Sequence, residues 1–485
     1  MTWKKHRGSR RHRCSAGPFG ISDSLPFRIC LGFGAWNLGF PAGSHSMPAS
    51  SVDHLNSGRF PRRASPVLVE RDHIGIFGKM NCGKSSLMNL LTQQATSIVD
   101  PMPGTTADTK IALQEIHGLG PVKLFDTAGL DEAGGLGQKK RAKVLADLKE
   151  CDLVLLVIDP QTREFATESE ILAQARELDK QILIIYNLFT PAGEQRIGHV
   201  EESLPLLRFH KKIKLAAIDP NCRPALLEFL LANFVSKNSK MELLPFVERD
   251  EFYVLNIPMD AETPPGRYLR PQAMAEEYIT RHWAYPVSYR MDLSRARGGD
   301  AAERQRFEVF LDSLKRCPKA IITDSQAMDL MHLWTPDEVM LTTFSIMMIN
   351  YISRGRLASF AEGLKALDHL QAGDKVLIAE ACNHSRIAED IGTVQIPSFL
   401  QRHWPGVVVE HNFGREFQEN ERLASYKLVI HCGGCMISAQ KLLARIRDLD
   451  AVGVAYTNYG LFLAWTQGRA ALRKVLRPFG LTIYD

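Results

Sequence analysis

Short apolar runs and helix-period segments alternate along most of this chain. HIGIF (73–77), VKLF just before Asp126, LVLLVID (153–159) and ILIIY (182–186) read as strands. LVLLVID is apolar throughout, as strands covered on both faces of a parallel sheet are. Farther along, FYVLNIPMD (252–260) predicts a strand, and PKAIITDSQAMDLM (318–331) a strand followed by a helix. From about residue 346 the pattern repeats. Helical MMINYISRGRLASFAEGLKAL precedes strand KVLIAE (375–380). VVVEH (407–411), YKLVI (426–430), the helix SAQKLLARIRDL and the strand AVGVAYTN (451–458) follow. Strands alternating with helices predict an α/β protein built on parallel sheets.

A chain of 485 residues has room for about three domains at roughly 100–200 residues each. The expected divisions are a nucleotide-binding domain over 66–240, a small α/β domain over 245–345 and a parallel α/β domain over 346–485. In the middle stretch AETPPGRYLRPQ breaks regular structure, and no cysteine cluster, phosphate loop or nucleophile–base pairing is visible there. The middle domain is expected to be a spacer or a dimerisation domain, in which an exposed strand pairs with a second copy across a twofold axis.

Charge changes the picture at one end only. Residues 1–65 carry ten Lys/Arg against two Asp/Glu, whereas the remainder carries 49 against 52. The folded body therefore lacks the basic surplus of a nucleic-acid binder. The Arg- and Ser-rich leader reads as a disordered or misassigned extension, with a transit peptide as the other possibility. No apolar run reaches the ~18 residues of a membrane span. Nine cysteines, an odd number, without a paired framework point to a reducing, cytoplasmic setting. Only the last three are grouped.

Two constellations carry chemistry. The first is Gly78-Lys79-Met80-Asn81-Cys82-Gly83-Lys84-Ser85-Ser86, between a strand and an apolar-periodic helix. This is the P-loop pattern in the context it requires: backbone amides and the helix N-terminus hold phosphates, Lys84 reaches the β/γ-phosphates and Ser85 binds Mg²⁺. Pro103-Gly104-Thr105-Thr106 and Asp126-Thr127-Ala128-Gly129 follow in the order of switch I and switch II. Lys84, Thr106, Asp126 and Gly129 are the expected catalytic residues for GTP hydrolysis.

These motifs resemble the translation-factor-like GTPases, especially the branch containing the tRNA-modification GTPase MnmE. Leu130 stands where Ras-like proteins have a water-orienting Gln. Asn81 occupies the position at which that branch helps bind K⁺; a plain loop hydrogen bond is the equal alternative. One departure stands out. The base motif Asn-Lys-x-Asp reads Asn187-Leu188-Phe189-Thr190, without its carboxylate, and Ala216-Ala217 only approximates the usual base loop. GTP is expected to bind with reduced discrimination against ATP.

The second constellation is Cys382-Asn383-His384, 46 intervening residues, then His431-Cys432-Gly433-Gly434-Cys435. Each half follows a predicted strand, and ligands gather outside the carboxyl ends of such strands. Thiolates favour iron–sulfur clusters or zinc. A GTPase, a middle domain and this Cys-x-His…His-Cys-x-x-Cys arrangement resemble the HydF family of FeFe-hydrogenase maturation GTPases. Pro264 to Gln272 and Thr457-Asn458-Tyr459-Gly460 also look like that family. The resemblance spans about 70–485. It implies a 4Fe–4S cluster on Cys382, Cys432 and Cys435 with a labile fourth site, His384 and His431 being ligands or supports. It further implies a scaffold that receives a di-iron precursor from radical-enzyme maturases and passes it to apo-hydrogenase. A closed Cys₃His zinc site in an RNA-modification or ribosome-assembly GTPase is the alternative, as is a degenerate GTPase serving only as a scaffold.

Overall fold

Three sheets organise the described residues of the protein in this computed structural model. It describes residues 70–93, 110–127, 135–236, 241–258, 268–299, 301–381, 390–414, 417 and 420–483. The N-terminal extension 1–65 lies outside them.

The first sheet has the order β2-β3-β1-β4-β5-β6, with β1 Asp72–Phe77, β2 Lys110–Ile116, β3 Gly120–Asp126, β4 Leu153–Ile158, β5 Gln181–Asn187 and β6 Lys211–Leu215. Only β2 runs antiparallel, against β3. All six residues of β1 and of β4 are buried, which is why β4 reads as an unbroken apolar run; β1 opens on the buried polar pair Asp72 and His73.

The second sheet comprises β7 Phe252–Asn256, β8 Tyr285–Tyr289, β9 Ala320–Thr323 and β10 Met340–Thr343, in the order β10-β9-β7-β8. The third comprises β11 Lys375–Glu380, β12 Val408–Phe413, β13 Leu428–His431 and β14 Ala455–Asn458, in the order β12-β11-β13-β14. Both are wholly parallel. Both also follow one plan: the second strand pairs outside the first, and the third and fourth are laid down on its other side. The likeness extends past the last strand. Thr343 caps the helix Phe344–Ile352, and Asn458 caps the helix Tyr459–Thr466. Asn458 also reaches the first turn of the other helix, its Nδ2 donating to the Ser345 hydroxyl at 3.0 Å. The helices are shared: Arg469–Leu476 packs on β10, while Leu357–Glu362 packs on β14. One hydrophobic core runs from Leu243 to Ile483 through both sheets.

Two expected elements differ in detail. The long helical stretch after residue 346 breaks at Arg354 and Gly355, both at positive φ (54° and 83°). The expected strand 451–458 starts only at Ala455. Ala451 and Val452 finish the preceding helix, which Gly453 ends at φ 69°, a common helix stop.

The first sheet meets the third at the amino ends of its strands, away from the P-loop. Asp152, just before β4, accepts from Arg354 (2.6 Å) and from Gln440 (2.5 Å). Gln440 also donates to the Arg71 carbonyl at 3.0 Å. Lys149 pairs with Asp448 at 2.6 Å, and Arg447 donates to the Lys149 carbonyl at 2.6 Å. Gln440, Arg447 and Asp448 lie on one helix, Ala439–Val452, and Lys149 lies near the end of the helix Gly135–Glu150. Among the described residues no helix is long and apolar enough to cross a membrane.

Candidate nucleotide and cysteine sites

β1 delivers the chain into the loop Gly78–Gly83, and the helix Lys84–Thr92 leaves it. Two glycines are needed here for space. A Cβ on Gly78 (φ 148°) would collide with the Val157 carbonyl, and one on Gly83 (φ 100°) with the Asn187 amide. Asn81 adopts φ 61° and is exposed, a conformation that Asn tolerates better than most residues. Lys84 is buried, its ammonium donating to the Gly78 and Lys79 carbonyls at 3.1 and 2.7 Å. Cys82 sits beneath the loop. Burial pushes its thiol up to about 12, so it packs as a neutral side chain.

The Ser85 hydroxyl donates to Asp126 Oδ2 at 2.6 Å. Burial raises the Asp126 pKa, against the opposing pull of Ser85 and then Lys84. Its Oδ1 is buried with no hydrogen-bond partner among the described residues. A hydroxyl, a carboxylate and an unused carboxylate oxygen suit a hard divalent cation such as Mg²⁺. Thr105, Thr106, Gly129 and Leu130 lie outside the described residues.

Asn187 joins the loop to the end of β6. Its amide donates to the Cys82 carbonyl at 2.9 Å, and its oxygen accepts from the Ala217 amide at 2.9 Å. Thr190 accepts from Gln161 at 2.6 Å. Gln161 carries no motif signal; only the fold brings it to the base loop.

The cysteine loop is positioned by register. β11 and β13 are neighbours with Ala379 opposite His431. The Cys432 amide then donates to the Ala379 carbonyl at 3.0 Å, and the Ala381 amide donates to Cys432 Sγ at 3.3 Å. The thiol of Cys432 thus lies beside the residue preceding Cys382. Cys382 and His384 themselves fall outside the described residues. Gly434 turns the loop at φ 70°, where a Cβ would strike Ile352.

Two buried arginines, which the sequence pattern did not single out, hold this loop. Arg445 brings a guanidinium nitrogen to 3.1 Å from His431 Nε2 and donates to the Gly414 carbonyl at 3.0 Å. An arginine has no acceptor, so Nε2 must accept and the imidazole is neutral with its proton on Nδ1. Burial also lowers the His431 pKa. This favours a supporting role over ligation through Nε2. Arg270 donates to the Cys435 and Ile437 carbonyls at 3.2 and 3.4 Å and forms an ion pair with Glu70. Among the described residues no group of three or more His, Cys, Asp or Glu could hold a metal ion; of the three expected thiols, Cys432 and Cys435 are described and Cys382 is not. The i, i+3 spacing of Cys432 and Cys435 on a glycine turn fits a thiophilic centre.

The sheet order, the P-loop and the Ser85–Asp126 pair define a P-loop GTPase bearing two further parallel-sheet modules. A profile described as a 50S ribosome-binding GTPase matches residues 73–188. Profiles described as the hydrogen maturase F dimerization and tetramerization domains match residues 301–352 and 358–478. The chain belongs to the hydrogen maturase F family. Among curated relatives, GTPase Der of Chloroflexus aggregans is 31% identical over 168 residues, covering 32% of this chain and 36% of Der. The tRNA modification GTPase MnmE of Dichelobacter nodosus is 36% identical over 132 residues, 26% of this chain and 29% of MnmE. The chain thus spans about a third of the length of these relatives. Aquifex aeolicus Era bound to GDP and AlF₄⁻ matches at 21% identity and TM-score 0.29, over 35% of this chain and 58% of that one.

Proposed function

We propose that this protein is the GTP-hydrolysing scaffold of FeFe-hydrogenase maturation. In this reading a 4Fe–4S cluster sits on Cys382, Cys432 and Cys435, and its fourth iron is left for an exchangeable ligand. Such a cluster supplies an iron at which a di-iron precursor can dock before passing to apo-hydrogenase. His431, held neutral by Arg445, supports the Cys432 thiolate; the rank of His384 stays open between ligand and support. The observation that carries the proposal is the Ala381–Cys432 contact at 3.3 Å. It sets Cys432 beside Ala381, the residue before Cys382, at neighbouring strand ends of the kind where α/β sheets bind ligands. Radical-enzyme maturases and the apo-hydrogenase are the partners this role requires, and a dimer is its smallest assembly.

The test is anaerobic reconstitution with iron and sulfide. The wild type is expected to show the absorption and electron paramagnetic resonance of a cubane, and Cys382→Ser to lose most of it. Tight zinc binding with no cubane signal would instead favour a structural metal in an RNA-directed GTPase.

Nucleotide state reaches the cysteine loop through two helices in this proposal. The helix Gly135–Glu150 starts in the switch II region and ends at the contact with Ala439–Val452, which begins just after Cys435. Sixteen residues at 1.5 Å each make a rod of roughly 24 Å, long enough to cross the GTPase sheet from nucleotide side to docking side. Switch movement would then alter how partners meet the cluster face, without taking part in the metal chemistry.

Asn81 enters as a K⁺ ligand that places positive charge near the transferring phosphoryl group. Hydrolysis is expected to be about tenfold or more faster in K⁺ than in Na⁺, and Asn81→Ala to erase the difference. Equal rates in the two salts would remove K⁺ from the mechanism.

A further inference from the structure

A small cavity of about 40 Å³ lies where the first sheet meets the third, beside the starts of β4 and β5. By volume it holds a few waters or one small ion. Four cations line it, Lys149, Lys180, Arg354 and Arg447, against two carboxylates, Asp152 and Asp179. Two of the cations are answered: Arg354 pairs with Asp152, and Lys149 with Asp448. Asp179 is exposed. Lys180 and Arg447 meet neutral acceptors instead. Both donate to the Lys149 carbonyl, at 2.8 and 2.6 Å, and Lys180 also donates to the Cys151 carbonyl at 2.6 Å. Arg447 Nε is buried with no hydrogen-bond partner among the described residues. Burial pulls the Lys180 pKa down to about 8 and lowers that of Arg447, and the nearby Arg354 guanidinium adds to the fall in both. Two like charges gathered on one carbonyl oxygen repel each other; an anion beside them would favour both.

Gln440 lines the same cavity. Its amide nitrogen donates to the Arg71 carbonyl and to the Asp152 carboxylate, which fixes the orientation of the amide. Its Oε1 is then left buried, without a hydrogen-bond partner among the described residues. That oxygen calls for a donor.

We propose that this cavity binds one hydrogen phosphate ion, which fastens the GTPase to the helix Ala439–Val452. Arg447 and Lys180 supply the charge and the N–H donors that an oxyanion accepts. The P–O–H group supplies the donor that Gln440 Oε1 lacks. Sulfate has the same shape but no proton to give. The cavity has room for the free ion and not for a nucleotide that carries it.

Calorimetric titration of inorganic phosphate into the full-length protein tests this, with GDP and Mg²⁺ saturating so that the phosphate loop is already filled. One saturable site per chain is expected, with phosphate bound about tenfold or more tightly than sulfate. Arg447→Gln and Lys180→Gln are each expected to weaken phosphate about tenfold or more. Amide exchange over residues 149–152 should slow when phosphate is added to the wild type. Lys180 and Arg447 are only partly buried, so both variants should fold, and matching melting curves without phosphate check it. The wild-type titration decides the matter even if a variant does not fold. No saturable site in the wild type, equal affinity for sulfate, undiminished binding by both folded variants, or binding without slower exchange would overturn the proposal.

Discussion

A Lys84→Ala variant is expected to fold as the wild type does and to lose GTP hydrolysis by about 10³-fold or more. Lys84 is the buried cation at the mouth of the phosphate loop, held by the Gly78 and Lys79 carbonyls. Both bonds are to neutral acceptors in its own loop, so the ammonium can turn to phosphate oxygens when they arrive. Charge develops on those oxygens as the γ-phosphoryl group leaves, and a preplaced cation is worth most where water is excluded. The structural cost of the change is small, about 1 kcal/mol per lost hydrogen bond. Phosphate release under saturating Mg²⁺ and GTP measures the effect. Retention of a tenth of the wild-type rate would mean that another group carries the charge.

Arg270→Ala is expected to cost about 3–5 kcal/mol of stability, the usual result of leaving one partner of a buried ion pair alone. The side chains of Arg270 and Glu70 are 5% and 10% exposed. Removing the guanidinium leaves the Glu70 carboxylate without its cation and the Cys435 and Ile437 carbonyls without their donor. Denaturant unfolding should show the loss, and a Glu70→Gln change on top of Arg270→Ala should recover part of it. A shift below about 1 kcal/mol would show that the pair is loosely solvated instead. Because the same guanidinium shapes the cysteine loop, the variant should also take up less iron on reconstitution.

Much of the GTPase domain was legible in the sequence, because its motifs are local. Gly78 to Ser85, Asp126 and Asn187 stand at strand ends that apolar runs announce. The strands that lead to the two thiol segments were legible for the same reason: KVLIAE is β11, and the LVI of YKLVI opens β13. What lay hidden depends on long-range pairing. β8 (YPVSY) and β10 (MLTT) are too short and too mixed to announce themselves, so the repeated sheet plan could not be read from periodicity. Arg445 sits in SAQKLLARIRDL, where a basic residue looks solvent-facing, yet it is 2% exposed. Nothing local distinguishes it from Arg447, which turns to the GTPase side. Arg270 lay inside a stretch noted only for its family likeness, and its partners are 200 residues before it and 165 after it. The boundary at 451–455 was misjudged because Ala451 and Val452 prolong an apolar run that belongs to a helix.

The shared helices of the second and third sheets have a bearing on how this chain can be taken apart. Each half lends the other a cover: Arg469–Leu476 roofs β10, and Leu357–Glu362 roofs β14. Cutting near residue 355, between the two matched modules, would strip a lid from both sides at once. The halves therefore behave as a fused pair of twins, inseparable as fragments, of which one twin bears the thiols and the other has Asn256 and Thr323 at the corresponding strand ends. Excised cysteine modules should be insoluble unless their twin is supplied, and grafting this centre into another scaffold means moving both.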